Sequence, residues 1–371
     1  MVIVWGMGKV FRTFKLPVLF GELIGGIIVG PAVLGLVSPD SETIHLLAKL
    51  GVFFLMLHAG LESDPHELLH ASKKSLVVAA GGVVLPFTGG YLVAQLFGQT
   101  VPVSLFVAMC MSCTAIAIST RLFKDNKKLK TRTAHITIGA AVLDDIFALI
   151  LFSVVLSLAE TGDFALLPLL IILAKTVAFF FVVIIGGLRI SKYMNRFLRD
   201  KGFTFTLIVG LILGLTAESI GLHMVIGAFL AGLFIREEVL DEKTFNKIED
   251  RIYGLSYSFL GPIFFTSLAF YLDFTAITQA TWFLIAVVVV AIIGKVVGAG
   301  GAALLQKIPF KQSLVIGLAM NSRGAVELII ASIGIQKGII DQNVFSILVI
   351  MAFATTFFSI FSIRPVIKHA E

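Results

Sequence analysis

"AAVLDDIFALILF", residues 140–152, sets two adjacent carboxylates, Asp144 and Asp145, inside an otherwise apolar run. A charged side chain at the centre of a bilayer costs about 3 kcal/mol or more, so such acids are rare and usually functional. Consecutive helical residues point about 100° apart. The two aspartates therefore hold different positions, one able to face a water-filled cavity while the other takes a cationic partner.

The rest of the chain makes that apolar setting a membrane. Of its 371 residues, 58% are hydrophobic and 14% charged, and the mean hydropathy is +1.01. These values exclude a soluble domain and predict an all-α polytopic membrane protein. Neither a secretory signal peptide nor a long polar tail is evident, and two cysteines are too few for a disulfide framework. Stretches long enough to cross a bilayer number about twelve. They lie near 16–37, 43–62, 74–97, 101–123, 132–158, 164–187, 203–218, 220–235, 253–272, 281–305, 312–336 and 342–363.

The net charge of +6 marks topology rather than a nucleic-acid partner. With loops alternating sides, 24 of the 29 Lys and Arg fall in one set and only Lys337 in the other; Lys49, Lys175, Lys295 and Arg323 lie inside spans. The positive-inside rule then puts both termini in the cytoplasm, along with "RLFKDNKKLKTR" (121–132) and "RISKYMNRFLRDK" (189–201).

Three short matches recur in the same order. "IGGIIVG" (24–30) pairs with "IGAFLAG" (226–232), "FFLMLHAGLE" (53–62) with "FFTSLAFYLD" (264–273), and "AMCMSCTA" (108–115) with "GLAMNSRGA" (317–325). Each is displaced by seven spans, an odd number, so the second copy is upside down relative to the first: an inverted repeat. Such transporters hold ions near the midplane at broken helices. Two stretches predict the breaks: "MSCTAIAIST" (111–120), with hydroxyls at Ser112, Thr114, Ser119 and Thr120, and "MNSRGAVELI" (320–329), with Asn321, Ser322, Arg323, Gly324 and Glu327. Lone serines of this kind serve close packing, whereas a charge beside a glycine predicts broken backbone lined by protein or water.

Arg323 and Glu327 are four apart and can neutralise each other as a structural pair. Lys295, in "AIIGKVVGAGG", has no acid in its own helix and needs a carboxylate from another span, with Asp144 or Asp145 the natural partner. Glu22 suits a helix cap or a loop tether, and Lys175 has no evident partner. Cys110 and Cys113 spell C-x-x-C on an apolar helix and are read as packing residues, not a zinc or redox site. His66 and His70 form a solvated surface pair.

These segments resemble the monovalent cation:proton antiporters, specifically the bacterial sodium/proton antiporter branch with paired aspartates. The resemblance rests on "LPVLFGELIGGIIVGP" (16–31), "FFLMLHAGLESD" (53–64), "SCTAIAISTRLF" (112–123), "AAVLDDIFALI" (140–150), "GPIFFTSLAF" (261–270) and "GLAMNSRGAVELIIA" (317–331), across nearly the whole chain. It implies a fold with two crossed discontinuous helices. An ion-carrying core (about 74–158 and 281–363) would move against scaffold helices (about 16–62 and 203–272), joined by a linker helix (about 164–187). It also implies a homodimer in the inner membrane and no cofactor beyond the transported Na⁺ (or K⁺, or Li⁺) and H⁺. By position, Asp145 is the principal cation and proton carboxylate, Asp144 its neighbour at the Na⁺ site and the partner of Lys295, and Thr114 lies near the crossing. The resemblance further implies a hydrophobic helix ahead of "LPVLFGEL", where only "MVIVWGMGKVFRTFK" stands, so that first helix is expected to be lost or truncated. With no nucleotide-binding domain following His369, sodium exchange is expected over regulated potassium efflux. Sodium-coupled symport of an organic solute on a related inverted-repeat fold is the competing reading.

Overall fold

A computed structural model describes residues 1–14, 16–39, 41–63, 73–161, 166–238 and 242–369, and among them the chain is helical with no strand. His66 and His70 lie outside the described residues. The chain divides into two compact units, Met1–His66 with Leu166–Phe270, and Glu67–Ala165 with Tyr271–Glu371. Each unit takes one piece from each half of the chain.

In the first unit, α1 (Val2–Thr13), α2 (Val18–Val29) and α3 (Glu42–Glu62) come from the first half. The residues ahead of "LPVLFGEL" thus do form a helix, of 12 residues. The second half contributes α8 (Leu166–Ser219), α9 (Met224–Glu238), α10 (Glu242–Tyr253), a π-helical segment Gly254–Leu260 and α11 (Gly261–Ala269). The second unit holds α4 (Lys73–Leu96), α5 (Val101–Ser112), α6 (Ile116–Asp125), α7 (Arg132–Thr161), α12 (Thr275–Gln279), α13 (Thr281–Leu305), α14 (Phe310–Met320), α15 (Ala325–Gln336) and α16 (Gln342–Val366).

The spans are less uniform than twelve equal crossings. Among the described residues, seven helices are long and apolar enough to cross a bilayer, and α14 with α15 makes an eighth span bent by 43°. Val18–Val29 and Val101–Ser112 are 12 residues each, about 18 Å at 1.5 Å per residue, short of a core about 30 Å thick. The first predicted span stops early because Pro31 follows Gly30; beyond it the chain folds back, with Leu34 N donating to Ile28 O and Gly35 N to Gly30 O. Between predicted spans six and seven the expected loop is instead helical backbone, and α8 leaves helical geometry at Lys201 (φ −130°, ψ 28°). Two further expectations are corrected. Glu22 lies in the second turn of α2, buried, and does not cap its start, where Pro17 stands. Lys175 has a partner, donating to Ile220 O at 3.3 Å beyond the end of α8.

Helices from opposite halves of the chain pack against each other at glycines. In the first unit α3 meets α9: a Cβ on Gly60 would stand 2.0 Å from Phe229 O, and one on Gly232 2.1 Å from Leu57 O. In the second, α4 meets α13 with the same reciprocity, Gly81 against Gly298 O (2.5 Å) and Gly298 against Gly81 O (2.3 Å). Small residues let backbones touch where lipid supplies no hydrophobic drive between helices. On α13, Ile285, Val289, Ile293 and Val297 recur every four residues and are 44–54% exposed, a stripe suited to lipid. Val287, Ala291 and Lys295 on the other side are fully buried. The same helical period that wets one face with lipid carries Lys295 inward.

Gly60→Ala should lower the thermal unfolding midpoint in detergent by an amount equivalent to about 1–3 kcal/mol, because backbone has to move. Gly301→Ala on α13, where a Cβ meets nothing within 4 Å, should be neutral or stabilise by up to about 1 kcal/mol through helix propensity. Equal effects of the two substitutions would contradict the packing described.

Candidate functional site

The site is the place where two helices stop in mid-span. α5 ends at Ser112; Cys113 (φ −66°, ψ 152°) and Ala115 (φ −99°, ψ 104°) are extended, and α6 starts at Ile116. α14 ends at Met320, and α15 resumes at Ala325 after Gly324 (φ −156°, ψ −150°). The two breaks cross and exchange hydrogen bonds. Ala115 N donates to Ser322 O (2.8 Å), the Thr114 hydroxyl to Met320 O (3.0 Å), and the Ser119 hydroxyl to Ala319 O (2.7 Å), with Ser119 Oγ 2.9 Å from Ser322 Oγ. Gly324 lies so close to Ala115 that a Cβ there would stand 2.9 Å from the alanine methyl.

A helix that ends inside the protein leaves its last carbonyls without intrahelical partners, and these carry the negative end of its dipole. At α5 every one is satisfied. Met109 O accepts the Ser112 hydroxyl (2.7 Å), Cys110 O accepts Arg323 Nη1 (2.7 Å), and Met111 O accepts Arg323 Nη2 (2.6 Å). Ser112 O accepts Lys295 Nζ, and Cys113 O accepts Arg323 Nη1 at 3.2 Å. Two buried cations, Lys295 from α13 and Arg323 from the second break, thus serve as the C-cap.

Sequence spacing pairs Arg323 with Glu327, and they do lie 3.6 Å apart. That is an ion pair beyond hydrogen-bonding distance; the guanidinium's hydrogen bonds go to carbonyls, and neither Glu327 oxygen makes one. The break carrying Arg323 is itself held by α16. Thr356 Oγ1 accepts from Arg323 N (2.9 Å) and donates to Arg323 O (3.0 Å), Ser359 donates to Leu318 O (2.6 Å), and Asn321 Nδ2 to Thr355 O (3.4 Å). Sequence reading missed Thr356 and Ser359. Their signal is a cluster of hydroxyls in an apolar helix, indistinguishable there from ordinary packing residues.

Lys295 Nζ lies 3.0 Å from Asp144 Oδ1, and both residues are fully buried. Its other acceptors are Gly82 O (2.8 Å) and Ser112 O. An ammonium has three N–H donors, and here all three have acceptors. Asp145, next on α7, is 6% exposed. The Thr114 hydroxyl, which donates to Met320 O, also faces the Asp144 carboxyl. The crossing thus brings together Thr114, Asp144, Lys295, Ser112 and Arg323, with Asn321, Ser322 and Glu327 lining the second break. Cys110 and Cys113 are buried free thiols. Among the described residues no group of three His, Cys, Asp or Glu converges as a metal cluster.

The sequence profile of the transmembrane sodium/hydrogen exchangers matches residues 1–369. The chain is similar to the Na(+)/H(+)-K(+) antiporter GerN of Bacillus cereus, 34% identical over 357 residues, covering 95% of this chain and 89% of that one. It is also similar to the Na(+)/H(+) antiporter of Enterococcus hirae, 29% identical over 354 residues, covering 94% and 91%. In fold it is similar to the sodium proton antiporter MjNhaP1 of Methanocaldococcus jannaschii, with a TM-score of 0.77, 17% identity, and coverage of 97% and 93%.

Arg323→Gln should strand two of the carbonyls that cap α5 and is expected to cost about 3–5 kcal/mol, read as a steep fall in unfolding midpoint and yield. Ser332→Ala, which removes only a bond to its own helix at Ile329 O, should stay near the wild type. A stable Arg323→Gln protein would mean that the guanidinium is not what satisfies the α5 terminus.

Proposed function

The chain belongs to the transmembrane sodium/hydrogen exchanger family, and on that premise we propose that it exchanges a monovalent cation, Na⁺ first and K⁺ or Li⁺ as alternatives, for protons by alternating access. The observation that carries this reading is the pair of buried carboxylates beside a broken-helix crossing, one of them tied to a buried lysine. A carboxylate there holds either a proton or a cation. That competition is enough to couple their movements in opposite directions.

Asp145 is the exchanging carboxylate in this proposal and Asp144 the controlled one. Lys295 holds Asp144 at the negative end of α5 with all three of its N–H groups engaged, an arrangement complete only for the ammonium form. A cation drawing Asp144 away would remove one acceptor and the counter-charge together, favouring release of a proton from Lys295 and making the exchange electrogenic. The unit Glu67–Ala165 with Tyr271–Glu371 would be the moving core and the other the scaffold of a homodimer. The 24-to-1 loop charge asymmetry supports an inner-membrane orientation with the C-terminus in the cytoplasm.

Everted vesicles carrying the full chain, monitored with a ΔpH-sensitive dye, test this directly. Adding Na⁺ or K⁺ should dissipate the gradient with wild type and leave it intact with Asp145→Asn, while Lys295→Gln should keep some exchange but respond less to membrane potential. Equal dissipation by Asp145→Asn would end the proposal. Na⁺-dependent solute uptake with no proton movement would favour the symporter instead.

Thr114→Val keeps the side-chain shape and removes the hydroxyl that faces Asp144. Its KM for the cation should rise, by roughly tenfold for the loss of one ligand worth about 1.4 kcal/mol, with the pH profile largely retained. An unchanged KM would make Thr114 a packing residue and leave the remaining ligands to backbone carbonyls.

A further inference from the structure

The first unit contains a buried histidine that the exchange site does not use. His58, on α3, is 1% exposed, and neither ring nitrogen has a hydrogen-bond partner. Glu62, one turn further on, places Oε2 3.8 Å from Nδ1. Two tyrosines flank the ring, Tyr257 edge-on with centroids 5.1 Å apart and Tyr253 at 5.4 Å, and they stack on each other at 5.1 Å. Tyr257 sits in the π-helical segment, which Ser256 ties back to α3 by donating to Phe54 O at 2.9 Å, one turn before His58. π-helical turns are rare and concentrate at functional places.

A neutral imidazole has one donor and one acceptor nitrogen, and here both are stranded. The surroundings offer the protonated form a counter-charge, a carboxylate at ion-pair distance, with the two tyrosine rings packed beside it. Two acidic groups lie within electrostatic reach of the cluster, Glu249 on α10 of Glu62 and Glu22 on α2 of Tyr257. We infer that His58 and Glu62 form a second proton-binding site, in the unit that does not carry Asp144 and Asp145, and that the π-helical segment is the element its occupancy acts on. The pair titrates as a unit, since the two groups interact directly.

The site itself is tested on the full-length protein in detergent, by the unfolding midpoint between pH 4.5 and 8. The gap between wild type and His58→Gln should change with pH through a single-proton step. Glu62→Gln, which keeps the imidazole and removes its counter-charge, should move that step to lower pH by about one unit. The consequence for exchange rests on the proposed antiport: at saturating cation, His58→Gln and Glu62→Gln should displace the pH profile of exchange while leaving the cation KM within about twofold. A gap that is constant across the range, with Glu62→Gln also constant, would overturn the site. Were the wild type to transport nothing, the unfolding titration would still decide the site, and only the antiport reading would fall.

Discussion

Backbone carbonyls that end inside a membrane protein have to be satisfied, because lipid offers no donors. α5 stops halfway across its expected span, and its last carbonyls are met by Arg323 and Lys295. Much of the second unit follows from that demand. Lys295 can be buried because it meets carbonyls at its head and Asp144 beside them. Asp144 is thereby committed to a cation. Arg323 arrives from the second break, where its guanidinium reaches three carbonyls while its own backbone bonds to Thr356.

The same economy operates in how the repeats interlock. Gly60 with Gly232, and Gly81 with Gly298, are reciprocal approaches between elements from opposite halves of the chain. Close backbone contact of this kind gives dispersion and shape rather than hydrophobic gain, the currency available between helices in lipid. It leaves the outward faces of α4 and α13 free for large apolar side chains. The hydroxyls of Thr356 and Ser359 play the matching role at the second break, joining α16 to Arg323 O and Leu318 O, while Asn321 Nδ2 donates to Thr355 O.

Much of this was legible residue by residue. Asp144, Asp145, Lys295 and Arg323 stand out because charge in an apolar run is costly, and Asn321 to Gly324 because polarity and glycine together weaken a helix. Lys295 could be predicted to need a distant carboxylate, and the structure gives it Asp144. Other features left no local trace. The carbonyls of Gly82, Cys110, Met111 and Ser112 are identical in sequence to any others, and the i,i+4 spacing of Arg323 and Glu327 pointed to a pair that the guanidinium's hydrogen bonds bypass. His58 read as one more residue of an apolar span, because its isolation appears only when α10 and the π-helical segment are packed around it.

The amino-acid sequence by itself determined the membrane class, the helical fold, the charge asymmetry, the short matches between the two halves and the handful of buried ionisable groups. Each of these depends on composition or period along the chain. Tertiary structure decided how long each helix runs, where α5 and α14 break, and which cation meets which carbonyl. Backbone groups carry no sequence signature, and the partner of a buried charge is chosen by what lies within about 3 Å in space, not by what lies four residues away.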